Sequence, residues 1–231
     1  MVEAKNVMKE DDAYLESCSD MALLKDVARG REDAFMVLLD RYLDVVSVTS
    51  FRILCDREDS EAVTVKVFVS LWHDVLAYDD SLSLRDFLLR KTCLYSRMRI
   101  MRRRILMFIG VRNGVFVKAS PKVENEDDYV TKQAWELYCR ATAHMTPLQT
   151  IVYVLCELEG MLQDDVSRLI GLTHFRVSLA CQRAVAKMKG ELHHFNREDD
   201  YMRFTGFLKK VAESLTDREK LTKSILKLID V

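Results

Sequence analysis

The sequence predicts an all-α protein, and two observations lead to that prediction. The 231 residues include only seven glycines and two prolines, and these breakers fall at the edges of segments in which apolar residues recur at helical spacing. The chain has no clear run of alternating apolar and polar residues, the pattern that is typical of a half-buried strand. Apolar residues make up 49% of the chain, which is enough for packed cores, and its length favours two small domains over one.

Helical patterns fill the first half of the chain after a polar, irregular segment at residues 1–19, which we expect to be loose. Gly30 ends the first helix, and Ser83 is placed to cap the fourth. Residues 55–59 have the composition of a turn between the second and third helices. The predicted helices span residues 21–29, 33–54, 60–78 and 84–109.

Residues 146–192 have the pattern of a helix-turn-helix. Thr146 and Gln149 match a capping box, and Pro147 stands at the first helical position, where its missing N–H costs nothing. Apolar residues then recur at helical spacing until Gly160 ends the helix. The segment therefore begins and ends with recognisable helix signals.

A second glycine in this segment sets one helix across another. Gly171 takes a left-handed backbone at little cost, and Thr173 caps the next helix. The N-terminal side chains of such a helix are free to enter a DNA major groove. Plain core packing uses the same arrangement, so spacing alone leaves the two interpretations equally open. The expected inward face consists of Val177, Ala180, Ala184 and Met188, and the expected outward face of His174, Phe175, Arg176, Ser178 and Gln182.

The charge of the chain changes sign along its length although the formal net charge is only −1. Residues 1–90 carry 19 acidic against 11 basic residues, whereas residues 91–122 carry nine basic residues and no acidic one. Solvated helix faces explain the acids taken singly, but they explain an acid-free stretch of this length poorly. The first part therefore suits a basic protein partner, and the second suits phosphates.

Several classes of function find no support in the sequence. The six cysteines are widely spaced without a CxxC pair, so we expect small buried side chains in a reducing cytosol and neither a metal nor a cofactor. No nucleophile–base signature or phosphate loop is present, which indicates that the protein is not an enzyme. Without a signal peptide or a membrane-length apolar run, we expect a cytoplasmic protein with no membrane partner.

Two segments resemble, in the same order, regions 2 and 4 of the sigma-70 family, in its two-domain extracytoplasmic-function type. The first is LLKDVARGREDAFMVLLDRYLDVVSVTSFRILCDREDSEAVTVKVFVSLW, and the second is ELEGMLQDDVSRLIGLTHFRVSLACQRAVAKMKGEL. The polar linker between them also fits that family. The resemblance implies a loose N-terminal segment at 1–19, a region 2-like domain at 20–109, a linker at 110–128, a region 4-like domain at 129–194 and a C-terminal helical extension at 195–231.

The resemblance implies a DNA-binding transcription initiation factor rather than an enzyme. In that family, region 2 docks on the clamp helices of RNA polymerase, a basic coiled coil, and opens the −10 promoter element. Region 4 places its recognition helix in the major groove of the −35 element. Core RNA polymerase and promoter DNA are therefore the expected partners, with an anti-sigma factor as a further candidate.

Particular residues match the family's contact positions. Trp72 and Phe87 stand at positions where we expect packing rather than contact with a partner. Arginines neutralise phosphates, so affinity for DNA should fall steeply with salt. The polymerase-binding candidates are Asp56, Asp59 and Glu61, and the DNA-binding candidates are Arg97, Arg99, Arg102, Arg103 and Arg104 in the −10 helix and Thr173, His174, Phe175, Arg176, Ser178 and Arg183 in the recognition helix.

The chain also departs from the family at positions that usually make contacts. Leu94 and Met98 stand where the −10 helix carries asparagine and aspartate. On the docking helix, Ala62, Val65 and Lys66 replace an acid, a glutamine and a glutamate. The preserved arginines favour a divergent sigma factor. The docking-helix changes favour the alternative, a degenerate sigma-like protein that has lost initiation and acts as a protein-interaction or regulatory module.

Helical patterns continue beyond the two resembling regions. Thr216 and Glu219 match a capping box at the start of a last amphipathic helix. Its apolar face needs a partner within the chain. Either it packs on the region 4-like domain and enlarges that core, or it clamps the two domains together and hides the DNA-binding surfaces.

Overall fold

The computed structural model confirms the all-α prediction, since no strand occurs among the residues that it describes. Those residues are 15, 17–75, 78, 81–109, 126–191, 204–208, 210–212 and 216–229, so most of the predicted loose segment and linker lie outside them. The helices are α1 (Asp20–Val27), α2 (Glu32–Leu54), α3 (Arg57–His73), α4 (Leu84–Phe108), α5 (Glu126–Ala143), α6 (Pro147–Tyr153), α7 (Gln163–Ile170), α8 (His174–Glu191) and α9 (Arg218–Ile229).

Side-chain caps begin two of these helices at the predicted positions. The Ser83 hydroxyl accepts a hydrogen bond from the N–H of Asp86 at 3.1 Å. The Thr146 hydroxyl accepts from the N–H of Gln149 at 3.2 Å, and the Gln149 side chain accepts from the N–H of Thr146 at 2.9 Å. The predicted capping box is thus confirmed, and it satisfies N–H groups that a first helical turn leaves unpaired.

The turn between α2 and α3 is shorter than the predicted segment 55–59. Cys55 ends α2 in the left-handed conformation at φ +51°, and Asp56 caps α3 by accepting from the N–H of Asp59 at 3.0 Å. Two residues are enough for the reversal because the cap starts the new helix at once. Asp59 consequently lies inside the first turn of α3, where a negative side chain also stabilises the helix dipole.

A π-helical turn that the sequence did not predict comes directly after α6. It spans Val154–Leu158, and the N–H of Glu159 donates to the carbonyl of Val154 at 2.9 Å, five residues earlier. Gly160 then redirects the chain at φ +72°. Such turns insert into α-helices without a sequence signature and are frequent at functional sites. Here the wider turn ends with Glu159 against α2.

The helices form two halves, α1–α4 and α5–α8, and each half buries an apolar face of its own. In α8, the four residues of the predicted inward face, Val177, Ala180, Ala184 and Met188, are all buried. Trp72 is half-buried and packs edge-to-face on Phe35, with ring centroids 5.2 Å apart. Phe87 packs edge-to-face on Tyr78 at 5.3 Å. These two aromatic residues therefore pack as the sequence predicted.

The two halves also meet in one continuous core. The ring of Phe51 on α2 stacks on Trp135 on α5 at 4.9 Å and 6°, and the Tyr138 hydroxyl donates to the carbonyl of Arg52 at 2.6 Å. Helix α4 packs against α6 and α7, the helices that precede the recognition helix. The two halves are thus closed on one another.

The last helix packs on the first half of the molecule. Leu221, Ile225 and Ile229 form the buried face of α9, which contacts α3 and, to a smaller extent, α2. Its cap is Asp217, whose side chain accepts from the N–H of Lys220 at 3.0 Å. The predicted cap Thr216 instead donates to the carbonyl of Ala212 at 3.0 Å, so the Thr216–Glu219 capping box was wrong. Within the part of the chain that the structure describes, no helix combines the length and apolar character needed to cross a membrane.

Candidate nucleic-acid and partner interfaces

Helix α8, the predicted recognition helix, presents its first turn to solvent. Gly171 ends α7 at φ +67° and sets α8 across it, as the sequence predicted. His174, Phe175 and Arg176 are exposed, and Phe175 retains 74% of its surface. The other recognition-helix candidates differ in access: Thr173 and Arg183 are exposed, and Ser178 is half-buried.

The five arginines at the end of α4 fall into two groups. Arg97 and Arg102 are exposed, and neither has a polar partner among the described residues. Arg104 is half-buried and donates to the carbonyl of Met145 at 2.5 Å, and Arg99 and Arg103 turn toward α3. Helical spacing distributes the five side chains around the helix, so they cannot all face one DNA strand.

Two of the acidic polymerase-binding candidates meet two of these arginines. Arg99 Nε lies 2.8 Å from Asp59 Oδ1, and an Arg103 guanidinium nitrogen contacts Asp59 and lies 3.3 Å from Asp56 Oδ2. The Asp56 and Asp59 side chains are each 7% exposed, and Arg103 is 10% exposed. Arg103 also donates to the carbonyl of Leu54 at 3.0 Å. In this state the four side chains balance each other and leave little charge for an outside partner.

Glu61, the third acidic candidate, is half-buried on α3 and is also paired. Its carboxylate lies 2.5 Å from Nζ of Lys220 on α9, and Nε of Arg57 lies at 3.8 Å. The pairing with α9 could not be read from local sequence, because 159 residues separate the two partners.

A stripe of large apolar residues lies exposed along α4. Its members recur every three or four residues and so share one face of the helix. Phe108 retains 92% of its surface, and the others retain between 45% and 57%. The resemblance to the sigma-70 family marks Leu94 and Met98 only as lost polar contacts. The helical spacing of all five residues could have revealed the stripe. The apolar stripe consists of Leu94, Met98, Met101, Ile105 and Phe108.

A cleft of about 410 Å³ opens where this stripe meets the helix-turn-helix. Leu94 and Met101 of α4 form one wall, and α6 and α7 supply the other. Three arginines line it, Arg90 and Arg97 from α4 and Arg176 from α8. The cleft therefore combines apolar walls with positive charge and is matched to a ligand or segment that is apolar and acidic.

An ion pair that the sequence did not predict connects the two halves. Nη1 of Arg52 on α2 lies 2.5 Å from Oε1 of Glu159, with the Arg52 side chain 4% exposed and Glu159 14% exposed. The Thr49 hydroxyl donates to the same carboxylate oxygen at 3.4 Å. This contact depends on the π-helical turn, which brings Glu159 to α2.

The cysteines mostly match the expectation of small buried side chains. All six are free thiols, four are buried, and Cys18 and Cys156 are half-buried. Burial raises the pKa of Cys93 to about 12, whereas a hydrogen bond from Cys181 lowers the pKa of Cys156 below its ordinary value. Among the described residues, no three His, Cys, Asp or Glu side chains are grouped to hold a metal ion.

Comparisons with known proteins find similarity only at the level of structure. No protein-family model matches the sequence, and no curated protein matches it. The sigma factor RpoE from Bartonella quintana, solved with the anti-sigma factor NepR, superimposes with a TM-score of 0.55 at 16% identity, over 71% of this chain and 98% of that one. CnrH, solved with the cytosolic domain of CnrY, gives a TM-score of 0.52 at 20% identity, over 76% and 97%. The chain therefore shares the helical fold of the sigma factor RpoE and of CnrH.

Proposed function

We propose that this chain is a sigma-type transcription initiation factor, which binds core RNA polymerase and directs it to promoters. Residues 20–109 act at the −10 element, and α8 reads the −35 element. The observation that carries the proposal is the presentation of α8, whose exposed first turn comes after the left-handed turn at Gly171. The shared sigma-factor fold supports the same function.

The closed arrangement must open before both promoter elements can be bound. The elements are about 25 base pairs apart, which at roughly 3.4 Å per base pair is on the order of 85 Å. A compact chain of this length has a radius of gyration of about 17 Å and is about 45 Å across. Since α4 packs on α6 and α7, the two DNA-binding surfaces lie too close together in this state. We infer that polymerase or promoter binding separates the halves.

The test is binding followed by transcription. The full chain, immobilised, should retain core RNA polymerase, and the complex should initiate from a subset of a promoter library. Replacing Arg176 and Arg183 by alanine should abolish selection at the −35 position while leaving polymerase binding unchanged, because both side chains are exposed on α8. A chain that never retains polymerase would exclude initiation.

A second candidate function is that of a sigma-like interaction protein that does not initiate. The apolar stripe on α4 favours it, because soluble proteins seldom expose a continuous row of large apolar side chains without a partner. The burial of Asp56 and Asp59 against α4 favours it as well. An acidic, amphipathic segment fits the cleft beside the stripe, and an anti-sigma factor that supplies one is the partner we propose.

The two candidates differ in the step after polymerase binding. Retention of polymerase without transcripts from any promoter would favour the interaction protein. Replacing Met98 and Ile105 by glutamine should remove partner binding in that case, since both side chains stand exposed on the stripe. Transcripts that depend on Arg176 and Arg183 would favour the initiation factor.

A further inference from the structure

The C-terminal helix α9 covers Glu61 on α3, one of the three residues that the sequence predicts to bind polymerase. Lys220 contacts Glu61 on α3, and Arg218 contacts Asp40 and Asp44 on α2, with Nη2 of Arg218 2.6 Å from Oδ1 of Asp40. The first turn of α9 thus places two cations on three carboxylates. Acidic side chains from both α2 and α3 therefore form the face that α9 covers.

Beyond Glu61, the same face of α3 carries two valines. Val65 and Val69 come after Glu61 at steps of four residues, so they share its side of the helix. Both are half-buried and pack against the core that includes Leu221 and Ile225 of α9. Lys66 points elsewhere, since its Nζ lies 4.6 Å above the ring of Tyr95 on α4.

The position of Val65 gives a physical reason for one departure from the family pattern, the valine that stands in place of a glutamine. Position 65 is half-buried and lies one helical turn beyond Glu61, on the side of α3 that Lys220 of α9 contacts, so an unpaired polar group there would be costly. Valine removes that cost and adds apolar contact area. The docking helix therefore carries the residues that an internal helical partner requires.

Resting on the proposed function, we propose that α9 is a built-in competitor of core RNA polymerase for the face that Glu61 and Val65 of α3 form with Asp40 and Asp44 of α2. The helix has two properties expected of a partner of that face: two cations of its first turn, Arg218 and Lys220, reach the carboxylates, and its inner side is apolar. A basic coiled coil that docks there must first displace α9. The ion pairs of Arg218 are largely exposed and the Lys220–Glu61 pair is partly buried, so these pairs contribute weakly to holding α9 in place. The buried apolar face of α9 supplies the larger part of its attachment.

Zero-length cross-linking tests whether α9 occupies this face and whether polymerase removes it. A carbodiimide should join Lys220 to Glu61 in the free full-length chain, because Nζ and Oε2 lie 2.5 Å apart. The Lys223–Glu219 pair, also 2.5 Å apart but within α9, is the internal control for reagent activity. Saturating core polymerase should remove the Lys220–Glu61 product and leave the control product.

Affinity measurements on matched variants test the energetic coupling. Replacing Arg218 and Lys220 by alanine should raise affinity for core polymerase about three- to tenfold, because it increases the fraction of chains with α3 uncovered. Replacing Lys223 and Lys227 by alanine removes the same charge from the same helix but no contact with α2 or α3, so affinity should not change.

The outcomes separate this inference from the function on which it rests. If polymerase binds while the Lys220–Glu61 product persists, or if the two double variants bind alike, α9 is not a competitor. If the product forms in the free chain but neither the wild type nor the Arg218/Lys220 variant binds polymerase, the proposed function fails instead. Failure of the Lys220–Glu61 product to form in the free chain would overturn the placement of α9.

Discussion

Arg103 is enclosed between α3 and α4, and two aspartates balance its charge. It contacts Asp59, and its guanidinium lies 3.3 Å from Asp56. A buried cation that keeps two carboxylate partners and a backbone acceptor is tolerated, whereas one that loses a partner is not. Asp59 and Arg103, which the sequence assigns to polymerase and to DNA respectively, therefore also stabilise the fold.

Replacing Asp59 by asparagine should destabilise the protein by about 3–5 kcal/mol, because it leaves Arg103 buried with less compensating charge. Urea unfolding followed by circular dichroism measures the change. The matched control is Asp165→Asn, which breaks the exposed Asp165–Arg168 pair and should cost at most about 1 kcal/mol. Equal effects of the two substitutions would mean that the Asp59 cluster carries no structural role.

At the scale of elements, the sequence predicted the helices well because each carries local signals. Thr146 with Gln149 and the glycine at 171 fix where helices begin and end, and these signals act within a few residues. The contacts of α9 and the position of Glu159 depend on residues more than 100 positions away, and on a π-helical turn with no sequence signature. The helices could therefore be predicted, whereas the pairing of their charged faces could not.

The arginines of α4 were predicted as one group, and the structure separates them by access. Arg97 and Arg102 are exposed and available to phosphates, whereas Arg103 is held by α3. Their roles toward DNA remain a prediction. The physical reason for the division is the helical period, which carries successive side chains around the axis by about 100° each.

Replacing both Arg97 and Arg102 by alanine should weaken binding to duplex DNA at every sequence tested. The slope of log K against log salt concentration should become shallower by about 2, since two phosphate contacts are lost. The measurement is fluorescence anisotropy across a salt series. The Lys223/Lys227 double-alanine variant, with the same charge change on α9, should keep the wild-type slope, and a wild-type slope in both variants would remove Arg97 and Arg102 from the DNA surface.

At the scale of the whole molecule, the closed arrangement depends on a small number of contacts between halves. The stacking of Phe51 on Trp135 and the hydrogen bond from Tyr138 are embedded in the core. The Arg52–Glu159 pair lies nearer the surface and holds a charge that is buried only while the halves are closed. The opening transition that we propose for promoter binding must break this pair. The Arg52–Glu159 pair is therefore the contact that best controls the equilibrium between the closed and open states.

Replacing Glu159 by glutamine should shift the molecule toward the open state, because it removes the carboxylate that pairs with the buried Arg52 guanidinium across the two halves. A loss of about 3 kcal/mol corresponds to an increase of about 100-fold in the open population. Small-angle X-ray scattering should report a larger radius of gyration, and duplex DNA should bind more tightly because the separated surfaces can bind along one duplex together. Glu136→Gln, an exposed carboxylate on α5, is the control and should change neither quantity. If the Glu159 variant keeps the compact radius and the wild-type affinity for DNA, the Arg52–Glu159 pair does not control opening, and closure depends on the aromatic core between α2 and α5.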